Sequence, residues 1–578
     1  MRISPVAPLA LLLLGAVGTF GLSSTTRLRQ SARYFILTVT GLIVILVLLL
    51  RWARPLVAIL SLWQPASLFD TILVLNADAL SQPLALAAIL VMFCAALIEL
   101  NSPATFRPRL ASAMLVLLAA GLATLWSANL VTLLISLTVY DLVYVAAYFT
   151  ADGSTRVATR GLIIGMLATL CLLAGAMLSH GRAATGLWRT VVLENKTSLA
   201  LWVLAASLRL FLYPFHLAAP EDFALISPLT APLVLRPLPG WVLWLRIVTI
   251  NHGLIPTLPW LQNLMLASLV LGTLLAWTST STFRILVWSS IGVAGAVLLS
   301  GTVTGQDATA VIAAGNVTWV LGSGALFLSQ FGAKQHLKWK IPLLVCGWAL
   351  LGMPGTLGFI SSTRLYSGIA NAGRILTKFT LGGLLWVAFL TPSLIRYIFL
   401  VPEVTRGRLM PPTDGHTESL PGLPRPLSLQ GLAQWLLTAT QLQSGALRQV
   451  AGTGLPALLL IVAGLFPSIF FDEGAIAVSS PITLFKLPRA AGWSLWMTGL
   501  VAGGLLSWKD GVLRSKGEAV LNTIYSLLRL EWLYEALAGA LDRGLSLFRT
   551  ADELIGGAGA LLWACLLFLL YILTRGGY

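Results

Sequence analysis

Charge is scarce in this sequence: Asp, Glu, Lys and Arg make up 10% of its 578 residues, against 57% hydrophobic residues. Soluble globular chains carry about 25% charged residues, and the mean hydropathy of +0.88 also excludes that class. Cysteine is nearly absent. Cys94, Cys171, Cys346 and Cys565 stand singly in separate apolar segments, so no C-x-x-C spacing exists for zinc, an iron–sulfur cluster or a redox pair. The five histidines are scattered, no two sharing a helix face at i, i+4, which leaves a metal site little support. No nucleophile–base pair is visible, so membrane-enzyme chemistry is the least favoured reading. No cofactor motif occurs, and none is expected in this chain. Acidic residues number 21 against 37 Lys and Arg, a formal charge of +16. The basic excess sits in short connections such as "TTRLRQSAR" and "RPRL", where it anchors helix ends to anionic headgroups and gives no cause to infer nucleic-acid binding.

What the chain does have is apolar runs of membrane-crossing length. They recur from 5–22 and 33–52 to 490–507 and 556–574. The expected fold class is an all-α polytopic membrane protein with about 14–16 transmembrane helices. Residues 1–24 resemble a signal peptide in pattern, but a second span follows closely, so a retained first span is favoured. Most of the 20 tryptophans read as interface anchors. Residues 402–430, rich in Pro and Gly, read as an exposed loop. In 515–550, Val520, Ile524, Leu527, Tyr534, Leu537, Leu541, Leu545 and Phe548 recur at helical spacing with charges mostly elsewhere. Such a helix, extending about 50 Å, lies along a membrane or a neighbouring protein. Gly517, Gly539 and Gly544 predict bends in it.

Against that background one carboxylate stands out. Asp141 lies mid-way through "LLISLTVYDLVYVAAYFT", where a charge costs about 2.5–3.5 kcal/mol on insertion scales. Asp78 and Glu99 fall near span ends, and Asp78 reads as a helix cap or loop acceptor. Interior cations are Arg209, Arg236, Arg246, Arg284 and Arg396. Arg209 is the best-placed partner for Asp141, since Pro214 follows it and an interior proline breaks a span. Pro354 predicts a second break, and broken spans at membrane depth line cavities in transporters.

Several strings then resemble, in order, motifs of the antiporter-like membrane subunits of respiratory complex I, Mrp-type antiporters and membrane-bound hydrogenases. "LVLNADALSQPLALAAIL" resembles that family's V-D-G-L-S entry to the third span, with Asp78 at its Asp. "VYDLVYVAAY" is similar to its fifth span, "LRLFLYPFH" to A-K-S-A-Q-F-P-x-H and "SPLTAPLV" to T-P-V-S-A-L-x-H. "FRILVWSSIGVAG" and "LLGMPGTLGFIS" resemble its L-K-R-x-L-A-Y-S-S-I and L-x-G-L-P-P-x-x-G-F-x-S segments.

The resemblance implies two inverted five-helix repeats, each with a broken helix, plus a C-terminal lateral amphipathic helix and a final span. The implied organisation is N-terminal helices at 1–109, repeats at 110–246 and 261–401, the loop 402–430, C-terminal helices at 431–507, the lateral helix at 508–555 and the last span at 556–578. It further implies other membrane subunits as partners along 515–550, a prokaryotic cytoplasmic membrane location, and proton or sodium translocation linked to redox chemistry elsewhere in an NADH:quinone oxidoreductase-like or hydrogenase-like complex. Carried over by motif, Asp141 stands at the family's fifth-span Glu and Arg209 at its seventh-span Lys. A guanidinium stays charged, so Arg209 suits gating better than relaying a proton. His216 follows the first break and reads as a structural histidine before a proton carrier. Arg236, Arg246 and Arg284 read as snorkelling or capping residues before path residues. Val234 or a neighbour replaces the eighth-span His, "AGNVTWVLGSGALFL" has no titratable group, and Ser361, Ser362 and Arg364 stand where a Lys-Asp-Glu run often occurs. Three functions therefore stay open: an ion-translocating subunit with a degenerate path, a transport-silent structural subunit, and a membrane partner in inorganic-carbon or cation/proton transport.

Overall fold

The computed structural model describes residues 4–22, 29–51, 57–61, 73–101, 106–151, 154–179, 195–219, 227–303, 308–331, 340–371, 378–399, 429–471 and 490–536, with Trp188, Val191 and a few positions up to Ser546. Of the expected loop 402–430, residues 402–428 lie outside these residues and 429–430 belong to a helix; the expected final span 556–574 also lies outside. The chain divides into two compact units, residues 1–513 and 514–578.

Long apolar helices build the first unit. In chain order they are α1 (Val6–Leu22), α2 (Arg29–Leu50), α3 (Ser81–Glu99), α4 (Pro108–Leu125), α5 (Leu130–Thr150), α6 (Thr155–Leu178) and α7 (Lys196–Arg209). After the first break come α8 (Ala231–Val234) and α9 (Leu238–Ile250), then α10 (Leu261–Thr278), α11 (Thr282–Val303), α12 (Thr309–Ser329) and α13 (Ile341–Leu350). Beyond the second break lie α14 (Phe359–Asn371), α15 (Lys378–Phe399), α16 (Leu429–Leu465), α17 (Pro467–Phe470) and α18 (Ala490–Leu528). Among the described residues ten helices are long and apolar enough to cross a membrane, or eleven if the bent pair α8–α9 counts as one span. The protein is an integral membrane protein.

Local chemistry sets the ends. Asn129 caps α5 by accepting from the Thr132 amide, and Asn195 caps α7 by accepting from Thr197. Pro108 opens α4, where its missing N–H costs nothing. Apolar character all round marks α12 as central: the whole helix is buried, packed on α3, α11, α13 and α16. By contrast, α6 buries a narrow face and turns Ile163, Leu167 and Leu170 outward, as lipid-facing residues do. The order helix, helix, helix, broken helix occurs twice, in α4–α7 and in α10–α13.

Two features depart from expectation. Residues 57–61 and 73–76 form an antiparallel strand pair, where only helices are expected; Leu75 bridges on to Ser127 and ties the pair to the end of α4. At the C-terminal side α18 runs unbroken through 507/508, where the sequence reading puts a boundary, because no proline intervenes and the glycines at 503, 504, 511 and 517 are tolerated. The helix stops near Leu530, whose φ is +56°. Of the expected 515–550 helix, the described part places Val520, Leu527 and Trp532 at the surface.

Candidate functional site

Asp141 sits mid-way along α5 and is 6% exposed. It lies against α6 at Gly165, where an added Cβ would stand 2.5 Å from Oδ2; any side chain there would displace the carboxylate. Arg209 is the last residue of α7, a helix end that favours a cation. Its guanidinium grips Asp141 with two hydrogen bonds, Nη2 to Oδ2 at 2.8 Å and Nη1 to Oδ1 at 3.2 Å. Nη2 also donates to the Gly165 carbonyl at 2.9 Å and to Thr169 Oγ1 at 2.7 Å. A bidentate fork with further acceptors on Nη2 offsets much of the cost of burying the ion pair, while Arg209 Nε has no hydrogen-bond partner among the described residues.

Arg236, in the turn between α8 and α9, completes the group. Its Cζ lies 4.1 Å from the Tyr144 ring centre and 5.5 Å from that of Phe211, within cation–π range. It presses on α6 one turn from Asp141, at Gly161, where a Cβ would overlap the guanidinium. Asp141, Arg209, Arg236, Tyr140, Gly161 and Gly165 line a crevice with room for about one water.

Just past Arg209 the helix breaks. Phe211 adopts φ +59°, a left-handed conformation uncommon for a bulky residue, and the Tyr213 amide donates to Ser268 Oγ on α10 at 2.9 Å. Pro214 follows within the break. His216 is buried in an aromatic stack: its ring is parallel to Tyr213 at 5.3 Å and tilted against Trp288 at 4.7 Å.

Other expected residues lie apart. Arg246 pairs with Asp78, donates to the Leu125 carbonyl at 3.0 Å, and faces Trp188. Asp78 also accepts from the Ser81 amide through Oδ1, so it both caps α3 and holds a cation. Burial alone would raise the Asp78 carboxyl, but the Arg246 guanidinium and the Ser81 hydrogen bonds outweigh it and hold the group below its usual value. Arg396 closes the end of α10 through the carbonyls of Ala276, Trp277 and Ser279, and meets Asp510 at 3.5 Å. Arg284 is partly buried near the start of α11, and Arg364 partly buried on α14.

The second break, at 351–358, has a different lining. Gly352 (φ +67°) and Gly355 (φ +82°) turn the chain around Pro354. The adjoining crevice is lined by Val293, Val297, Thr318, Leu350, Ser361 and Trp386. Leu350 ends α13 as Arg209 ends α7. Among the described residues, the buried hydroxyls of Ser361 and Ser362 make no hydrogen bond there and no charged side chain lines this crevice.

No family model matches the sequence. The chain superposes on a subunit in the structure of the Mrp complex from Dietzia sp. DQ12-45-1b with a TM-score of 0.72 at 19% identity, over 99% of this chain and 62% of that one. Its fold is that of the antiporter-like membrane subunits. A chain of the archaeal membrane-bound sulfane sulfur reductase gives 0.66 at 16% identity, over 98% and 100%. Curated proteins similar to it include NAD(P)H-quinone and NADH-quinone oxidoreductase subunits. NAD(P)H-quinone oxidoreductase subunit 2 of Prochlorococcus marinus (strain MIT 9312) is 30% identical over 278 residues, 42% of this chain and 55% of that protein. NADH-quinone oxidoreductase subunit N 1 of Acidiphilium cryptum (strain JF-5) is 24% identical over 290 residues, 44% and 60%. The matched region thus spans little more than half the length of these relatives.

Within this antiporter-like fold the sequence reading overlooked Gly161, Gly165 and Thr169, the α6 contribution to the site. The G-x-x-x-G spacing in "RGLIIGMLAT" was the available signal, since small residues one turn apart admit close neighbours. It also placed Asp141 alone at depth, whereas Glu99 is 2% exposed.

Proposed function

We propose that this protein is an antiporter-like membrane subunit of a multi-subunit, redox-linked complex that translocates protons or sodium, with the working polar site in its first half. The observation that carries the reading is the Asp141–Arg209 pair at the broken end of α7, next to a second guanidinium, Arg236. A proton arriving on Asp141 would cancel its charge and weaken the fork, leaving Arg209 held by Gly165 and Thr169 alone. Arg209 remains charged throughout, so it gates Asp141 by position and does not pass the proton on. His216, Arg236, Arg284 and Arg364 are assigned supporting roles, and Arg246 and Arg396 structural ones. Redox chemistry and its cofactors belong to other subunits, docked along residues 515–550. The setting is the cytoplasmic membrane of a prokaryote.

A narrower reading is favoured for the second half by Leu350, Val293 and Trp386 lining the second crevice: that half braces the assembly without carrying ions. The test is reconstitution of the purified complex in liposomes. Loss of ion translocation in Asp141→Asn with assembly intact supports the first reading; unchanged translocation leaves the whole subunit structural. Transport by the chain purified alone would instead identify a freestanding transporter.

A further inference from the structure

Glu99 is the last residue of α3 and is 2% exposed. That position is electrostatically adverse for an anion: burial removes hydration, and the negative end of the helix dipole faces it. The nearby cation does not neutralise it. Arg33 of α2 donates from Nη2 to the main-chain oxygen of Glu99 at 2.6 Å, capping the helix end, while the side chain takes one hydrogen bond, from Ser227 Oγ at 2.7 Å. Glu99 Oε1 is buried with no hydrogen-bond partner among the described residues. Asp141 and Asp78, by contrast, each bind a guanidinium directly.

The elements packed on α3 bring little else that is charged. From α2 comes Arg33, and from α16 Arg448, which acts on Arg33. The cation of α4, Arg109, is exposed, as is Arg107 before it; α8 and α12 carry no ionisable residue. Ser227 is otherwise committed, since its Oγ accepts from the Leu229 amide and leaves its hydroxyl proton for Glu99. The segment begun by Ser227 runs antiparallel to α3, passing Arg236 in the central crevice and ending with Arg246 on Asp78. Asp78 and Glu99 are therefore one length of α3 apart, about 28 Å at 1.5 Å per residue, close to a bilayer's hydrocarbon thickness.

We propose that Glu99 is a proton-exchanging carboxyl at the membrane face opposite Asp78, a protonation site separate from the Asp141–Arg209 pair. It rests in the neutral form, with its hydroxyl on Oε1, which has no partner among the described residues, and Ser227 bonded to Oε2. It ionises when the proton leaves toward the adjacent interface. The proposal goes beyond the Asp141 reading and does not require it.

Infrared difference spectra of the full-length protein in lipid nanodiscs, recorded between acidic and alkaline pH, test it. A protonated-carboxyl carbonyl band should be present at low pH and bleach on alkalinisation. Glu99→Gln should delete the band. Ser227→Ala should shift it to higher wavenumber and raise its midpoint pH, because the lost hydrogen bond favoured the anion. Asp141→Asn should leave it in place, whatever that variant does to translocation. A spectrum without a titrating protonated-carboxyl band, or one whose band is unmoved in both Glu99→Gln and Ser227→Ala, overturns the proposal. Ser227→Ala decides the matter alone if Glu99→Gln fails to fold.

Discussion

Gly165→Ala inserts one methyl group between α6 and the ion pair. The new Cβ would stand 2.5 Å from Asp141 Oδ2 and 2.7 Å from Oδ1, so something must move by about 1 Å to reach an ordinary contact of about 3.5 Å. Moving α6 away loosens the Gly165 carbonyl from Arg209, and turning the carboxylate breaks one arm of the fork. Overpacking of this kind costs about 1–3 kcal/mol, and a hydrogen bond to a charged group about 1.5–3 kcal/mol; together they predict a loss of about 2.5–6 kcal/mol. Gly504→Ala in α18 is the control. A Cβ there meets nothing within 4 Å, so helix propensity alone acts and the change should stabilise by about 0.5–1 kcal/mol. The assay is thermal denaturation in detergent, with ion translocation by the reconstituted complex as the second readout. Equal melting temperatures for the two variants would refute the packing of Asp141 against α6.

Three further outcomes are expected. Arg209→Lys keeps the charge but loses the fork, so it should retain less than the full pair's stability, and a double-mutant cycle with Asp141→Asn should show a coupling of about 1 kcal/mol or more; additivity would contradict the pairing. For Asp78 the folded carboxyl sits below its unfolded value of about 3.9, so its contribution is present above that pH and is lost as pH falls through the depressed folded value. Acid titration of stability in Asp78→Asn should lack this loss, while at neutral pH the variant is destabilised by about 3–5 kcal/mol because buried Arg246 loses its counter-charge and keeps only the Leu125 carbonyl and the Trp188 face. Asp510→Asn should lower stability only modestly, since Arg396 keeps its three carbonyl acceptors; a collapse of the fold would show that the ion pair, not the carbonyls, holds the end of α10.

Much of the fold was legible because apolar runs, prolines and caps act locally. The helices of the first unit and both breaks follow from such signals, and Pro214 and Pro354 lie inside the two breaks. The strand pair at 57–61 and 73–76 was not legible: its second strand also bonds to Trp126 and bridges Ser127, which are distant in sequence. At the site, the types of Asp141 and Arg209 marked them as charges needing partners. The role of α6 was hidden because glycine contributes by the absence of a side chain. Glu99 was discounted by its place at a span end, where burial depends on how Ser227 and Arg33 fold over it.

Proton or sodium flux through the complex reconstituted with Asp141→Asn bears most directly on the function proposed here. Flux should fall at least about tenfold while subunit composition is unchanged; wild-type flux from a fully assembled Asp141→Asn complex would contradict a translocating role for the Asp141–Arg209 pair.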